Sequence, residues 1–338
     1  MRLRKSTVGG PGLRRVRRGR GFSYVDVGRD CVDDPEVLER IEALVIPPAW
    51  KHVWISPHPN GHIQAVGTDA AGRRQYIYHE RWQTERSEEK YDRALSLAKR
   101  LPEWRVHLLA DLRGRGLGRD RVLALAQHLI DQGYFRAGGE EYAQDNGSFG
   151  LSTLRRDHVQ LHQGSVDFDY PAKSGVRRTV SLEDPLVIRA VRSLLRADTT
   201  SPRLLVYRAS GGWSEVHADD LNLRFRDLVG EDFSVKDLRT WHGTVLAAEA
   251  FAIARDPTSK TARRREEAAV MRAVAEQLGN TPAVARRSYV DPRVVTAYEQ
   301  GATIAPALRR AKRQRSPEAR RETIEGATAR LIRRVARG

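Results

Sequence analysis

Apolar and polar positions change their period along this 338-residue chain. DDPEVLERIEALVI (Asp33 to Ile46) reads as a short helix, capped by Asp34 with Pro35 in its first turn. From Lys51 to His79 the runs HVWIS, HIQAVG and RQYIYH alternate, separated by PHPNG and TDAAG. Alternation bounded by turn residues predicts a small antiparallel β-meander. From Ser87 the period becomes 3.6, and SEEKYDRALSLAKRL and GRDRVLALAQHLIDQG read as amphipathic helices ended by Pro102 and Gly133. HVQLH, VDFDYP and VRRTV (His158 to Val180) alternate again and predict a three-stranded sheet.

Beyond that sheet the pattern is helical. EDPLVIRAVRSLLR is one helix, and Val235 to Arg255 is another, opened by Ser234 and Asp237 at capping-box spacing. ARRREEAAVMRAVAEQLG ends at Gly279, and NTPAVARRS is a short helix capped by Thr281. DPRVVTAYEQG starts another behind Asp291 and Pro292, and the chain from Ser316 carries a helical apolar stripe of Ile324, Leu331 and Val335. The reading is α+β: a small β-rich domain over 1–90, a mainly helical domain with a small three-stranded sheet over 91–310, and a basic helix or tail over 311–338.

Composition narrows the class. The chain is 40% hydrophobic and 30% charged, as soluble globular proteins are. No uncharged apolar run approaches the roughly 18 residues of a membrane span, and the basic N-terminus has no apolar core of a secretory signal. One cysteine, Cys31, excludes an internal disulfide and a thiolate zinc cluster and fits a reducing cytoplasm. The net charge of +16 predicts attraction to polyanions, nucleic acid above all. The first 20 residues hold eight basic and no acidic side chains, and the last 33 hold 11 basic against three acidic. Such ends read as solvated tails, which leaves specific chemistry to the middle.

The spaced pairs His58/His62 and His158/His162 fall in strand or turn sequence without a third ligand and read as structural histidines. HExxH, GxSxG and GxxxxGK are all missing from the sequence. What remains is a succession of cations followed by a tyrosine, in YFRAGGEEYAQDNGSFGLSTLRRDHV, YPAKSGVRRTV, VKDLRTWHGT and GNTPAVARRSYVDPRV. Arginine forks suit the non-bridging oxygens of a phosphate. A lysine can protonate a leaving oxygen, and a tyrosine hydroxyl can attack phosphorus and conserve the bond energy in an ester.

These four segments, in this order and spacing, resemble the active-site blocks of type IB DNA topoisomerases, most closely the poxvirus-like form found in bacteria. IPPAWKHVWISPHPNGHIQAVGTDAAGRRQYIYH (Ile46 to His79) resembles that family's β-rich DNA-clamping domain. The resemblance implies two phosphate-binding arginines, Arg136 and Arg239, a general-acid lysine, Lys173, and a nucleophile, Tyr289. The ninth residue before the tyrosine is usually histidine in the family; here it is Asn280, which can donate a neutral hydrogen bond but cannot transfer a proton. Gln75, Tyr76 and Tyr78 match positions that touch DNA in the major groove, although alternation alone equally permits core or edge-strand aromatics.

The implied enzyme nicks one strand of duplex DNA through a 3′-phosphotyrosyl link and relaxes supercoils of both signs. It then religates without ATP or metal. It is expected to be a monomer that closes as a C-shaped clamp on DNA, cytoplasmic and nucleoid-associated, with no membrane partner. Two rivals stand beside it. A tyrosine recombinase would usually have histidine where Lys236 stands in KDLR and an α-helical N-terminal domain. A DNA-binding architectural protein that had lost activity would be expected to lack some of the four residues above.

Overall fold

The arginine-rich N-terminus is built into a sheet. In the computed structural model, which describes residues 2–140, 147–254 and 259–337, β1 (Leu13–Arg18) pairs antiparallel with β2 (Gly21–Val25) and with β3 (Lys51–Ile55). The solvated arm expected from charge is therefore corrected. Arg15 spends its guanidinium on the carbonyls of Ile46, Pro47 and Trp50, at 3.2, 3.1 and 2.7 Å, and lies over the Phe22 ring. A fork with several donors satisfies the loop carbonyls that a strand cannot reach.

The chain divides into two compact units, Met1–Glu89 and Lys90–Gly338. In the first, β4 (Ile63–Thr68) and β5 (Arg74–Tyr78) complete an antiparallel sheet of order β2-β1-β3-β4-β5. The meander over Lys51 to His79 is as the alternation predicts. Helix α1 (Pro35–Ala43) is capped by Asp34, whose side chain accepts from the Glu36 and Val37 amides. It buries Ile41 against Val53, Ile55 and Ala65 on one face of the sheet.

The second unit is mainly helical. Helix α2 (Glu80–Leu97) crosses into it, followed by α3 (Leu101–Arg113) and α4 (Arg119–Gly133). Pro102 does not end a helix here; it sits in the first turn of α3, where its missing N–H costs nothing. Leu101, Trp104, Leu108 and Leu112 form the buried stripe of α3. Helix α4 is buried almost all round. The expected three-stranded sheet is β6 (Val159–Leu161), β7 (Val166–Pro171) and β8 (Arg177–Leu182), in the order β6-β7-β8.

Then come α5 (Pro185–Leu195), the hairpin β9 (Val206–Ala209) and β10 (Gly212–Glu215), α6 (Ala218–Val229) and α7 (Val235–Ile253). The Ser234–Asp237 capping box that opens α7 is formed. Arg255, where the helix was expected to end, and residues 141–146 of the first cationic segment lie outside the described residues. The remainder is α8 (Lys260–Leu278), α9 (Pro282–Ser288), α10 (Pro292–Glu299), α11 (Ala305–Ala311) and α12 (Pro317–Val335). The C-terminal end is likewise no loose tail. Helix α12 is capped by Ser316 and buries Ala327, Thr328, Ala329 and Ile332 in the main core, so its stripe centres on Ile332. No helix among the described residues is long and apolar enough to cross a membrane.

Candidate active site

The site is organised by the C-terminal end of α8. That helix stops at Gly279, which takes a left-handed φ of 58°, a conformation that favours glycine. The Asn280 amide closes the cap by donating to the Ala275 carbonyl at 2.8 Å. The last carbonyls of the helix lack intrahelical partners and carry the negative end of its dipole. Arginines from three other elements take them. Arg178 on β8 donates to Gln277 at 2.8 Å, Arg239 on α7 donates to Leu278, and Arg136, beyond α4, donates to Gly279 at 2.9 Å. Arg136 also donates to the Asn280 side-chain oxygen.

Each arginine is aimed by its own element. Tyr134 caps α4 in a left-handed conformation (φ 53°), which turns the chain so that Phe135 enters the core and Arg136 turns towards α8. The Tyr134 carbonyl accepts from Arg239 at 2.6 Å. Arg239 is only 6% exposed. Burial, then repulsion from Arg136, pulls its guanidinium down to about 10, with Tyr289 acting the other way. It still carries its charge at neutral pH. The Arg178 guanidinium is lowered as well, by burial, against a favourable Tyr170.

Three donors are left over: the Arg178 Nε, the Arg239 Nε and the Asn280 Nδ2 are buried without a protein partner. A buried unpartnered donor costs roughly 1–3 kcal/mol. Three clustered cations with spare N–H groups suit an anion with several oxygens.

Tyr289 lies beside them. It is half-buried at the end of α9, and the Arg239 guanidinium carbon stands 5.4 Å from its ring centroid. Its carbonyl accepts from the Thr244 hydroxyl at 3.1 Å, and the same hydroxyl receives the Asp291 amide at 3.1 Å. Lys90 and Tyr91 both donate to the Arg287 carbonyl, steadying the approach to the tyrosine. Lys90 is lowered to about 8 by burial and by the neighbouring Lys236 charge.

Of the five residues singled out in this unit, Arg136, Arg239, Asn280 and Tyr289 gather at this helix end. Lys173 stands exposed on the turn between β7 and β8. Sequence reasoning missed two contributors. Arg178 occupies the inward parity of β8 with Val180 and Leu182, and a charge on an apolar parity was the available signal. Gly243 lets α7 approach Tyr289; nothing in its spacing marked it.

In the first unit, β5 is an edge strand. Tyr76 and Tyr78 are 40% and 37% exposed, with rings stacked at 5.9 Å between centroids. Gln75 shares the other parity with Ile77, and its amide donates to Asp69 at 2.9 Å. In each histidine pair one ring has structural partners. His62 accepts from the Ser6 amide and packs on Trp82, and His158 accepts from the Arg155 amide and packs on Phe149. Among the described residues no group of three His, Cys, Asp or Glu side chains could hold a metal ion.

Comparison with known proteins gives a consistent result. The family model described as "Eukaryotic DNA topoisomerase I, catalytic core" matches residues 79–315, and "Bacterial DNA topoisomerase IB, N-terminal domain" matches residues 21–69. The chain is similar to the DNA topoisomerase 1B of Acanthamoeba polyphaga mimivirus, 29% identical over 296 residues, covering 85% of this chain and 88% of that one. It is also similar to the DNA topoisomerase 1 alpha of Arabidopsis thaliana, 23% identical over 163 residues, covering 48% of this chain and 17% of the plant protein.

Proposed function

The chain belongs to the type IB DNA topoisomerase family, isomerases that act on DNA, and from that premise we propose that it breaks and rejoins one strand through Tyr289. The Tyr289 hydroxyl releases its proton to water as its oxygen attacks a backbone phosphorus, forming a 3′-phosphotyrosyl ester while the 5′ oxygen leaves as a hydroxyl. Lys173 supplies the proton to that oxygen. Arg136 and Arg239 meet the extra charge of the pentacoordinate phosphorus, and the spare Asn280 Nδ2–H donates to one non-bridging oxygen. Religation runs the steps backward. The ester keeps the bond energy, so no ATP is needed, and protonation of the leaving oxygen by Lys173 removes the need for a metal ion to stabilise it. Rotation of the cut strand between the two steps releases supercoils of either sign.

The observation that carries this reading is the group of arginines held on the α8 carbonyls, with an unpartnered Asn280 donor and Tyr289 beside them. Pre-placed donors need no reorganisation when charge develops, which is where most of such a rate enhancement arises. The segment 1–90 serves as a DNA-binding domain, with Tyr76, Tyr78 and Gln75 among its contacts. The segment 91–310 holds the catalytic machinery. The enzyme works as a monomer, in the cytoplasm on the nucleoid. Relaxation of negatively and positively supercoiled plasmid in EDTA without ATP is the expected result. Strand exchange between two defined sites, without relaxation, would move the assignment to a recombinase.

A further inference from the structure

Helix α12, Pro317–Val335, lies beyond the last residue matched by the family model. Two of its charged side chains nevertheless turn inward, Glu325 buried and Arg321 partly so. Arg321 donates to the Asp131 carboxylate at 2.5 Å, and Glu325 accepts two hydrogen bonds from Arg105, both 2.8 Å. Arg105, on α3, reaches the two Asp131 oxygens at 2.9 and 3.0 Å. Asp131 is 1% exposed on α4 and also meets His242 Nε2 at 3.0 Å. A carboxylate only accepts, so His242 carries its proton on Nε2 and donates it.

This carboxylate is one turn from the chemistry on both sides. His242 follows Arg239 by three residues on α7, so both project from one side of that helix. Asp131 precedes Tyr134 by three residues at the end of α4. The Tyr134 ring packs edge-on against His242 with centroids 5.1 Å apart, while its carbonyl holds the Arg239 fork. Two adjacent links, Asp131–His242 and Tyr134–Arg239, thus fix the register of the α4 end on α7. The other ionisable group at this place is Glu249, raised by burial and then by Glu325.

We propose that Asp131, clamped by Arg321 and by the Arg105–Glu325 pair, is a positioning residue for Arg239, so that α12 is a working part of the catalytic apparatus. A helix serving only to cover the core would need apolar contact alone. Here it delivers a cation to a carboxylate whose third partner, His242, shares a helix face with the catalytic arginine. Buried charge networks of this kind lose most when one member is removed, because the others are left unpaired.

This inference rests on the reading of Arg239 as a phosphate-binding residue, and the test separates the two. Single-turnover cleavage of a DNA duplex is measured for wild type, Arg321→Met, Arg239→Ala and the double variant, with DNA affinity and thermal midpoint alongside. Arg321→Met should slow cleavage about tenfold, the scale on which residues remote from a ligand modulate function, with affinity unchanged. Arg321→Lys should recover most of the rate. Adding Arg321→Met to Arg239→Ala should cost nothing further, because the group being positioned is gone. An equal loss in both backgrounds, or no loss in either, overturns the positioning role. Full-speed cleavage by Arg239→Ala would instead sink the reading of Arg239. If Arg321→Met fails to fold, the near-isosteric Glu325→Gln takes its place in the cycle, with a loss of about threefold expected and the same two outcomes deciding.

Discussion

Gly243 and Tyr289 are in backbone contact: a Cβ on Gly243 would stand 2.8 Å from both the Cβ and the carbonyl oxygen of Tyr289. No real Cβ tolerates that distance, and the Thr244 hydroxyl pins the same carbonyl from the next position. Gly243→Ala must therefore push Tyr289 away from Arg239. We expect a stability loss of about 1–3 kcal/mol, the usual cost of overpacking. Cleavage should fall by about tenfold or more, because displacing a nucleophile by even about 1 Å is costly. Thermal unfolding and single-turnover cleavage check both. Unchanged cleavage would mean the tyrosine is not held where α7 holds it.

Asn280 faces two ways. Its oxygen is taken by Arg136 and its amide donor is buried and unpaired. If that donor serves the transition state, Asn280→Ala should slow cleavage by about 10²–10³-fold with little effect on DNA affinity. Asn280→Asp should be worse, since it replaces a donor with a negative charge facing a phosphate. Asn280→His restores a ring N–H and should stay within about tenfold of wild type. Cleavage by Asn280→Ala at the wild-type rate would remove this residue from the site.

Much of this was legible beforehand, for identifiable reasons. The caps Asp34, Ser234, Thr281 and Asp291 use local side-chain chemistry, and each opens the helix it was expected to open. The meander and the three-stranded sheet declare themselves by period-2 alternation between turns. Helix α3 was hidden because Pro102 reads as a stop and works here as a start. The ordered N-terminus was hidden because Arg15 satisfies carbonyls more than 30 residues away, which no local window contains. The docking of α12 was hidden for the same reason: Arg321 and Glu325 look like a solvated face until Asp131 and Arg105 are brought to them. At the site, residue types suggested chemistry at a phosphodiester, and the resemblance of the four segments to the family's blocks implied Arg136, Arg239 and Tyr289. The role of α8 as the common anchor of Arg136, Arg178 and Arg239 is a tertiary fact.

The network around Asp131 also fixes how the fold responds to acid. Burial alone would raise the Asp131 carboxyl, but Arg105, Arg321 and His242 hold it well below the usual carboxylate range. Its contribution is complete above the unfolded value of about 3.9 and disappears as pH falls through the lower folded value. His242 is lowered by burial, with Asp131 opposing. Below about pH 6.5 the unfolded chain binds a proton there that the folded chain resists, so stability declines as pH falls through that window. Both effects destabilise in acid, and histidine acts first. Thermal midpoints measured from pH 7.5 to 5 should fall for wild type and fall less for His242→Gln, which keeps a donor towards Asp131. Parallel curves would show that His242 contributes nothing to the decline.

The central claim is that Tyr289 is the nucleophile of an ATP- and metal-independent strand transfer. The most direct test incubates the wild-type protein and Tyr289→Phe, in EDTA, with a duplex whose short 3′ fragment escapes after the cut and traps any covalent adduct. The account predicts that wild type becomes linked to the DNA 3′ phosphate, leaves a free 5′ hydroxyl, and yields a Tyr289-bearing peptide carrying the nucleotide. Tyr289→Phe should bind the duplex equally well and form no adduct. An adduct on another residue, or one that survives in Tyr289→Phe, would contradict it.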